Sequence, residues 1–263
     1  MPASGVITVT TDFGHKGPFA SVMQGIIFAR LPDARIVDLA HDIPPQWPAE
    51  AGFWVSHSYR FFPAGSVHLA IVDPGIGAQR DILLVDYDEH MFIAPDNGLL
   101  GLLLDNADSA KVYKLDPRRL ADLNIDDPDT AFHARDIFAP LAAELAAGRI
   151  TPADIGRKSV DWTPAWLDRP DVQDGKVTGV VISFDSFGNL ITDIDVELLA
   201  GLHDPQVLVA GHQLPLLDTY SNAKPGDYLA LINSFGVVEI ARSEGNAAEG
   251  LGAERGAPVV VTT

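Results

Sequence analysis

Short β-branched runs alternate with stretches of helical period from residue 5 to about 155, and beyond residue 176 the helical stretches give out. That change of rhythm constrains the fold more than any other feature of the chain. Residues 5–11 read as a strand ending in Thr10-Thr11-Asp12-Phe13-Gly14, and 19–31 as a helix with Val22, Ile26 and Ile27 near the helical period. A short buried strand is expected at 35–39, then a helix at 49–60 after the turn Pro44-Pro45-Gln46-Trp47-Pro48. The next strand, 67–72, breaks at Asp73-Pro74-Gly75. Residues 82–87 and 91–94 make a hairpin around Asp88-Glu89, and 137–147 is a helix with Gly148 just past its end. This alternation predicts an N-terminal α/β domain with a largely parallel central sheet. The later runs, 177–184, 206–209, 228–233, 237–241 and 258–262, are separated by turn residues and predict a smaller, all-β, barrel-like domain. Between them lie Trp162, Pro164, Trp166 and Pro170 without a period, the mark of a linker or strap. The expected boundaries are 1–160, a linker at 161–176, and 177–263.

Charge narrows the partners. The chain carries 36 acidic and 18 basic residues, a formal net charge of −18, and no basic cluster longer than Arg118-Arg119. A nucleic-acid partner is not expected. The acidity fits a solvated surface, and secondarily a field that favours a cationic small molecule. With no cysteine, neither disulfides nor thiolate metal sites arise. Residues 1–9 lack the basic and apolar regions of a signal peptide, and no apolar run approaches the ~20 residues of a membrane span. A cytoplasmic protein without membrane association is the expectation.

In open α/β sheets, ligand groups gather beyond the carboxyl ends of the strands. Three acidic motifs fall there: Thr11-Asp12-Phe13-Gly14, Asp38-Leu39-Ala40-His41-Asp42, and Asp73-Pro74-Gly75-Ile76-Gly77. A carboxylate so placed can accept two hydrogen bonds from a ribose diol; taken singly, each is also an ordinary turn aspartate. Phe132-His133-Ala134-Arg135-Asp136 precedes a helix, and Asp185-Ser186-Phe187-Gly188-Asn189 and Asn233-Ser234-Phe235-Gly236 are tight turns between strands. No G-x-G-x-x-G or G-x-x-x-x-G-K-[ST] occurs, which disfavours a Rossmann methyltransferase or dehydrogenase. The G-x-S-x-G elbow of serine hydrolases is also absent, and no metal-ligand spacing such as H-E-x-x-H is present.

Taken in order, these segments resemble the S-adenosylmethionine hydroxide adenosyltransferase family, relatives of the fluorinases and chlorinases. The matching stretches are Thr11 to Gly14, Val72 to Gly77 with Arg80, Ala94-Pro95-Asp96-Asn97-Gly98-Leu99-Leu100, Phe132 to Pro140, Asp185 to Asn189, and Asn233 to Gly236. They span nearly the whole chain. The resemblance implies hydrolysis of S-adenosyl-L-methionine to adenosine and L-methionine, with no cofactor and no metal. It implies a water-activating triad of Asp73, Arg80 and His133. Halogenating relatives do not keep that triad, and the extra first-domain loop of fluorinases is missing here. By the same resemblance Asp12 holds the ribose hydroxyls, while Trp47 and Phe132 line the ribose and adenine region. Asp185 and Asn189 bind the amino-acid end with help from Ser234. The backbone at Asn246 and Ala247 reads the adenine edge, and Tyr220 stacks on its face. A homotrimer is implied, its sites lying between the α/β domain of one subunit and the β domain of the next. Three departures stand out: Ala134 replaces glycine, Asp193 stands where asparagine is usual, and Phe235 where the fluorinase has arginine.

Two other readings remain open at this point. Asp12, Asp38, Asp42 and Asp73 could assemble an oxygen-rich cation site, as in a metal-dependent nucleoside hydrolase. A non-catalytic module that senses S-adenosylmethionine or adenosine could bind the same ligand, though it has no need of Asp73, Arg80 and His133 together.

Overall fold

The structure, a computed structural model, describes residues 3–73, 80–126, 128 and 132–263. Contacts divide it into two units, Met1–Trp166 and Leu167–Thr263.

The first unit contains β1 (Val6–Thr11), α1 (Phe19–Arg30), β2 (Arg35–Ala40), α2 (Pro48–Ser58), β3 (Val67–Ile71), β4 (Ile82–Tyr87) and β5 (His90–Pro95). It continues with α3 (Gly101–Asp105), β6 (Lys111–Leu115), α4 (Ala139–Ala146), α5 (Pro152–Ile155) and β7 (Gly156–Ser159). The strands form one seven-stranded sheet in the order β2-β1-β3-β5-β4-β6-β7. Its inner strands are buried on both faces, which is why they read as near-continuous apolar runs. Ile7, Val9, Leu69, Leu84 and Ile93 pack on Met23, Ile27, Leu141 and Leu145 of α1 and α4. On the other face Ala70, Val72, Leu83 and Phe92 meet Ala51 and Val55 of α2 and Leu103 and Leu104 of α3.

Two expectations are corrected. The sheet is mixed rather than largely parallel: β2, β1, β3 and β5 are parallel, whereas β4, β6 and β7 each run against their neighbours. The 82–95 hairpin reverses the direction, because a tight two-residue turn can join only antiparallel strands. The reversal matters for the site, since the amino end of β4 thereby lies at the same edge as the carboxyl ends of β1, β3 and β5. Strand β2 is not buried; it is the sheet edge, with Arg35, Val37 and Asp38 exposed.

The second unit holds β8 (Asp171–Gln173), β9 (Lys176–Phe184), β10 (Leu190–Asp195), β11 (Gln206–Val209), β12 (His212–Pro215), β13 (Tyr228–Ile232), β14 (Val237–Arg242), α6 (Ala247–Leu251) and β15 (Pro258–Thr262). The long β9 pairs with β15 along its first half and with β10 along its second, so it joins two ladders into the order β12-β11-β15-β9-β10-β14-β13. Leu216, just past β12, bridges Ala230 of β13 and brings the two ends of the sheet together. The result is a nearly closed barrel around Val181, Leu190, Val207, Val238, Ile240 and Val261, as the turn-separated short strands predict. Among the described residues no helix is long and apolar enough to cross a membrane.

Candidate active site

The sheet edge described above gathers the first set of acidic residues. Asp12 follows β1 and Asp73 follows β3, and the two carboxylates are close enough to interact. Burial pushes the Asp12 carboxyl above its ordinary value, the Gln46 N–H opposes, and the Asp73 charge adds to the rise. Gln46 donates its backbone N–H to Asp12 Oδ2 at 3.5 Å from a left-handed position at φ 64°. The adjacent Trp47 turns its indole inward, and its Nε1 is buried without a hydrogen-bond partner among the described residues. A buried, unmet donor on the residue next to the one that reaches Asp12 is suited to a polar ligand.

Arg80 enters the same edge just ahead of the reversed β4, and its Nε lies 3.7 Å from Asp73 Oδ1. Pro74 to Gln79, which include part of the expected acidic motif, lie outside the described residues. The approach of β3 to Asp73 is braced from below. Buried Asn97 donates Nδ2 to the Val72 carbonyl at 2.8 Å and accepts the Leu99 N–H at 3.2 Å. Above that turn the Trp166 indole donates to the Asn97 carbonyl at 2.5 Å, and the Thr163 N–H donates to Asp96 at 2.7 Å. Gly98 sits at φ 89°, where a Cβ would press on the Pro164 carbonyl and the Trp166 ring. The strap expected from its prolines and tryptophans thus fastens the turn in this unit. Lys114 adds ion pairs to Asp96 at 3.1 Å and Asp81 at 3.4 Å, anchoring the residue next to Arg80.

His133 begins a π-helical turn, Ala134–Phe138, that leads into α4; such wide turns are frequent at functional sites. Asp73 and His133 line a common cavity of about 40 Å³ with Phe13, Ile71, Phe132, Ala134 and Phe138. That is room for about one to three waters, between a carboxylate and an imidazole. Phe132 is held edge-on by Phe13 at 6.0 Å and Phe19 at 5.7 Å, and the Arg135 guanidinium lies 5.4 Å above its ring. Arg135 forks onto Asp136 at 2.5 and 2.7 Å beside the aromatic cluster.

His41 is a residue to which motif reading attached no role. It is buried, its Nδ1 lies 2.8 Å from Thr11 Oγ1, and its carbonyl accepts the Gly14 N–H at 2.8 Å. It therefore clamps both flanks of Asp12. A histidine just past an edge strand was the available signal. Among the described residues no three His, Asp or Glu side chains gather as a metal would require, so Asp12, Asp38, Asp42 and Asp73 do not make the oxygen cluster considered above.

The second unit places the remaining expected residues around two β-turns. Asp185 Oδ1 accepts the Phe187 and Asn189 N–H groups at 2.9 Å each, and its Oδ2 accepts Asn189 Nδ2 at 2.8 Å. Asn189 is buried, and its Nδ2 holds the Asp185 carboxylate. Gly188 takes φ 83° and lies against the side chain of Asn246, which caps α6 by accepting the Glu249 N–H at 2.9 Å. Ala247 is fully buried, and only its backbone N–H, unpaired within the helix as a first-turn donor, is suited to a ligand. Ser234 is exposed in the Asn233–Gly236 turn, and the half-exposed Tyr220 donates its hydroxyl to buried Glu239. Glu239 was not singled out beforehand, although one glutamate within Val237-Val238-Glu239-Ile240-Ala241 is itself a signal.

Known proteins are similar to this chain along nearly its whole length. Residues 7–156 match the model described as SAM hydroxide adenosyltransferase N-terminal domain, and residues 179–260 the corresponding C-terminal domain. An (R)-S-adenosyl-L-methionine hydrolase of Thermus thermophilus is 36% identical over 253 residues, covering 95% of this chain and 96% of that one. A fluorinase of Actinopolyspora mzabensis is 27% identical, covering 98% and 97%. The crystal structure of an uncharacterized conserved protein from Thermotoga maritima superposes with a TM-score of 0.89 at 28% identity, covering 98% and 100%.

Proposed function

The chain belongs to the SAM hydroxide adenosyltransferase family, and on that premise we propose that it hydrolyses S-adenosyl-L-methionine to adenosine and L-methionine. One observation carries this reading: Asp73 and His133 line a cavity of about 40 Å³, with the Arg80 guanidinium 3.7 Å from the Asp73 carboxylate. The sulfonium makes methionine a neutral leaving group, so no acid is needed at sulfur. The chain's task is to hold a water in line with the C5′–S bond, roughly 3–3.5 Å from carbon. Water oxygen bonds to C5′, the C5′–S electron pair passes to sulfur, and a ring nitrogen of His133 accepts the proton. General-base help of this kind is worth about 10²–10⁴-fold. Arg80, a permanent cation with five donors, stabilises hydroxide character on the oxygen, and Asp73 orients it and offsets its charge.

In this reading Asp12 accepts from the ribose hydroxyls, and Trp47 and Phe132 wall the ribose and adenine. Asp185, held by Asn189, meets the ammonium with Ser234 nearby. Tyr220 flanks the ligand, and the backbone at Asn246 and Ala247 reads the adenine edge. A homotrimer in the cytoplasm brings the α/β domain of one protomer to the β domain of its neighbour; an active monomer by light scattering would reject that arrangement. The chemistry is tested by incubating the protein with S-adenosylmethionine in ¹⁸O-water. Adenosine labelled at the 5′ oxygen is the expected product, and unlabelled adenosine or no adenosine overturns the proposal.

A further inference from the structure

Strand β14 carries a glutamate that its neighbours do not explain. Glu239 is 4% exposed. Val238 and Ile240 face the barrel core, so Glu239 points to the opposite face with Ala241, where Leu229 and Leu231 form a small cluster with Leu217 and Ala223. A buried carboxylate is costly unless donors and charge compensate it. The donors are there: Glu239 Oε1 accepts the Tyr220 hydroxyl, and Oε2 accepts Asn233 Nδ2 at 3.3 Å. Both oxygens act as acceptors, as a carboxylate's do. Asn233 in turn accepts the Phe235 N–H at 2.9 Å and the Val237 N–H at 3.3 Å, which shapes the turn bearing Ser234. One side chain therefore ties the Tyr220 segment to the Ser234 turn.

Among the described residues, the groups that act most on Glu239 are Tyr220, Asn233 and Asp185, none of them a cation. Burial raises the Glu239 carboxyl and the Tyr220 phenol, and the Asp185 charge pushes both further, so the two carboxylates are within electrostatic reach of each other. Ile191 of β10 pairs with both Ser183 of β9 and Glu239 of β14, which sets Glu239 two strands from the end of β9 where Asp185 begins its turn. Such a pair is completed by a positive group brought by the ligand.

We propose that Glu239 is a specificity-determining residue, which fixes Tyr220 and the Ser234 turn and, with Asp185, makes this subsite selective for ligands bearing an ammonium group. The inference rests on reading the subsite as the one for the amino-acid end of S-adenosylmethionine. Two probes test it: S-adenosylmethionine, and its deaminated analogue, which keeps the nucleoside, sulfonium and carboxylate. Their affinities are measured by calorimetry, and their KM and kcat by steady-state turnover, on the intact protein and two variants. In Glu239→Gln the preference for the amino-bearing ligand falls about tenfold, or about 1.4 kcal/mol, with kcat changed less than KM. Glu239→Asp keeps the charge but not the reach to Tyr220, so both ligands weaken together and the preference stays. An unchanged preference in Glu239→Gln at wild-type melting temperature overturns the proposal, and so does a lost preference in Glu239→Asp, which decides the matter even if Glu239→Gln does not fold. Wild-type protein that binds both probes without hydrolysing either refutes the enzymatic reading alone, and the affinity ratio still decides the role of Glu239. Wild-type protein that binds neither refutes both.

Discussion

Asp193 offers an energetic test that needs no ligand. Its Oδ1 accepts the Val180 N–H at 2.7 Å, and Gly179 leaves the space it occupies, since a Cβ there would collide with that oxygen. Burial pushes the carboxyl from 3.8 up to about 6; two backbone hydrogen bonds oppose the shift and Asp195 adds to it. The folded value lies above the unfolded one, so the folded chain holds this proton more tightly. Its contribution to stability is complete below pH about 4 and is lost as pH rises through about 6. A gap of about two units, at about 1.4 kcal/mol each, makes the ionised form about 3 kcal/mol less favourable at pH 8. Asp193→Asn keeps an oxygen for Val180 and has no charge to bury. It is expected to be about 2–3 kcal/mol more stable than wild type at pH 8, with the difference vanishing below pH 4. Urea unfolding of both proteins from pH 4 to 8 measures the gap. Parallel stability curves, or a variant weaker than wild type at pH 8, would refute the argument.

Other substitutions probe the site edge. Asn97→Ala strands the Val72 carbonyl and the Leu99 N–H, two buried groups, and should cost about 2–4 kcal/mol in denaturant unfolding. Because Val72 leads directly into Asp73, turnover should fall as well. Gly98→Ala drives a Cβ into the Pro164 carbonyl and the Trp166 indole, for a loss of about 1–3 kcal/mol and a shift in tryptophan emission; an unchanged spectrum would mean that the strap is not seated on this turn. His133→Ala should chiefly lower kcat and Asp185→Ala chiefly raise KM, and steady-state kinetics with the opposite pattern would exchange the two roles.

What was legible in the sequence followed burial. Strands β1, β3, β4 and β5 stand out as apolar runs because they are covered on both faces, and the 82–95 hairpin is marked by its turn. Polar strands hide: β6 has Lys111 and Lys114 at intervals, and β7 is Gly-Arg-Lys-Ser, so neither shows an apolar period. The expectation of burial for β2 failed because Ile36, Val37 and Leu39 look alike at an edge and at a centre. Strand direction leaves no mark on hydrophobic pattern, so the mixed sheet was invisible until the ladders were paired. In the candidate site, Asp12, Asp73, Arg80, His133 and the Asp185 turn stand out through ordered motifs rather than periodicity. The π-helical turn after His133 has no local signature, and the bracing roles of His41, Asn97 and Glu239 depend on partners 30, 25 and 19 residues away.

The reversal of β4 has a consequence for how such a chain can diversify. Asp73 follows β3 and Arg80 precedes the reversed β4, so two separate strands set this pair at one rim of the sheet. A change in chain length between the two strands carries a small entropic cost and leaves the register of each strand untouched. The pair proposed to handle water can therefore be retuned by indels independently of Asp12 after β1, proposed to hold the sugar, which is a natural route by which one scaffold could acquire different nucleophiles.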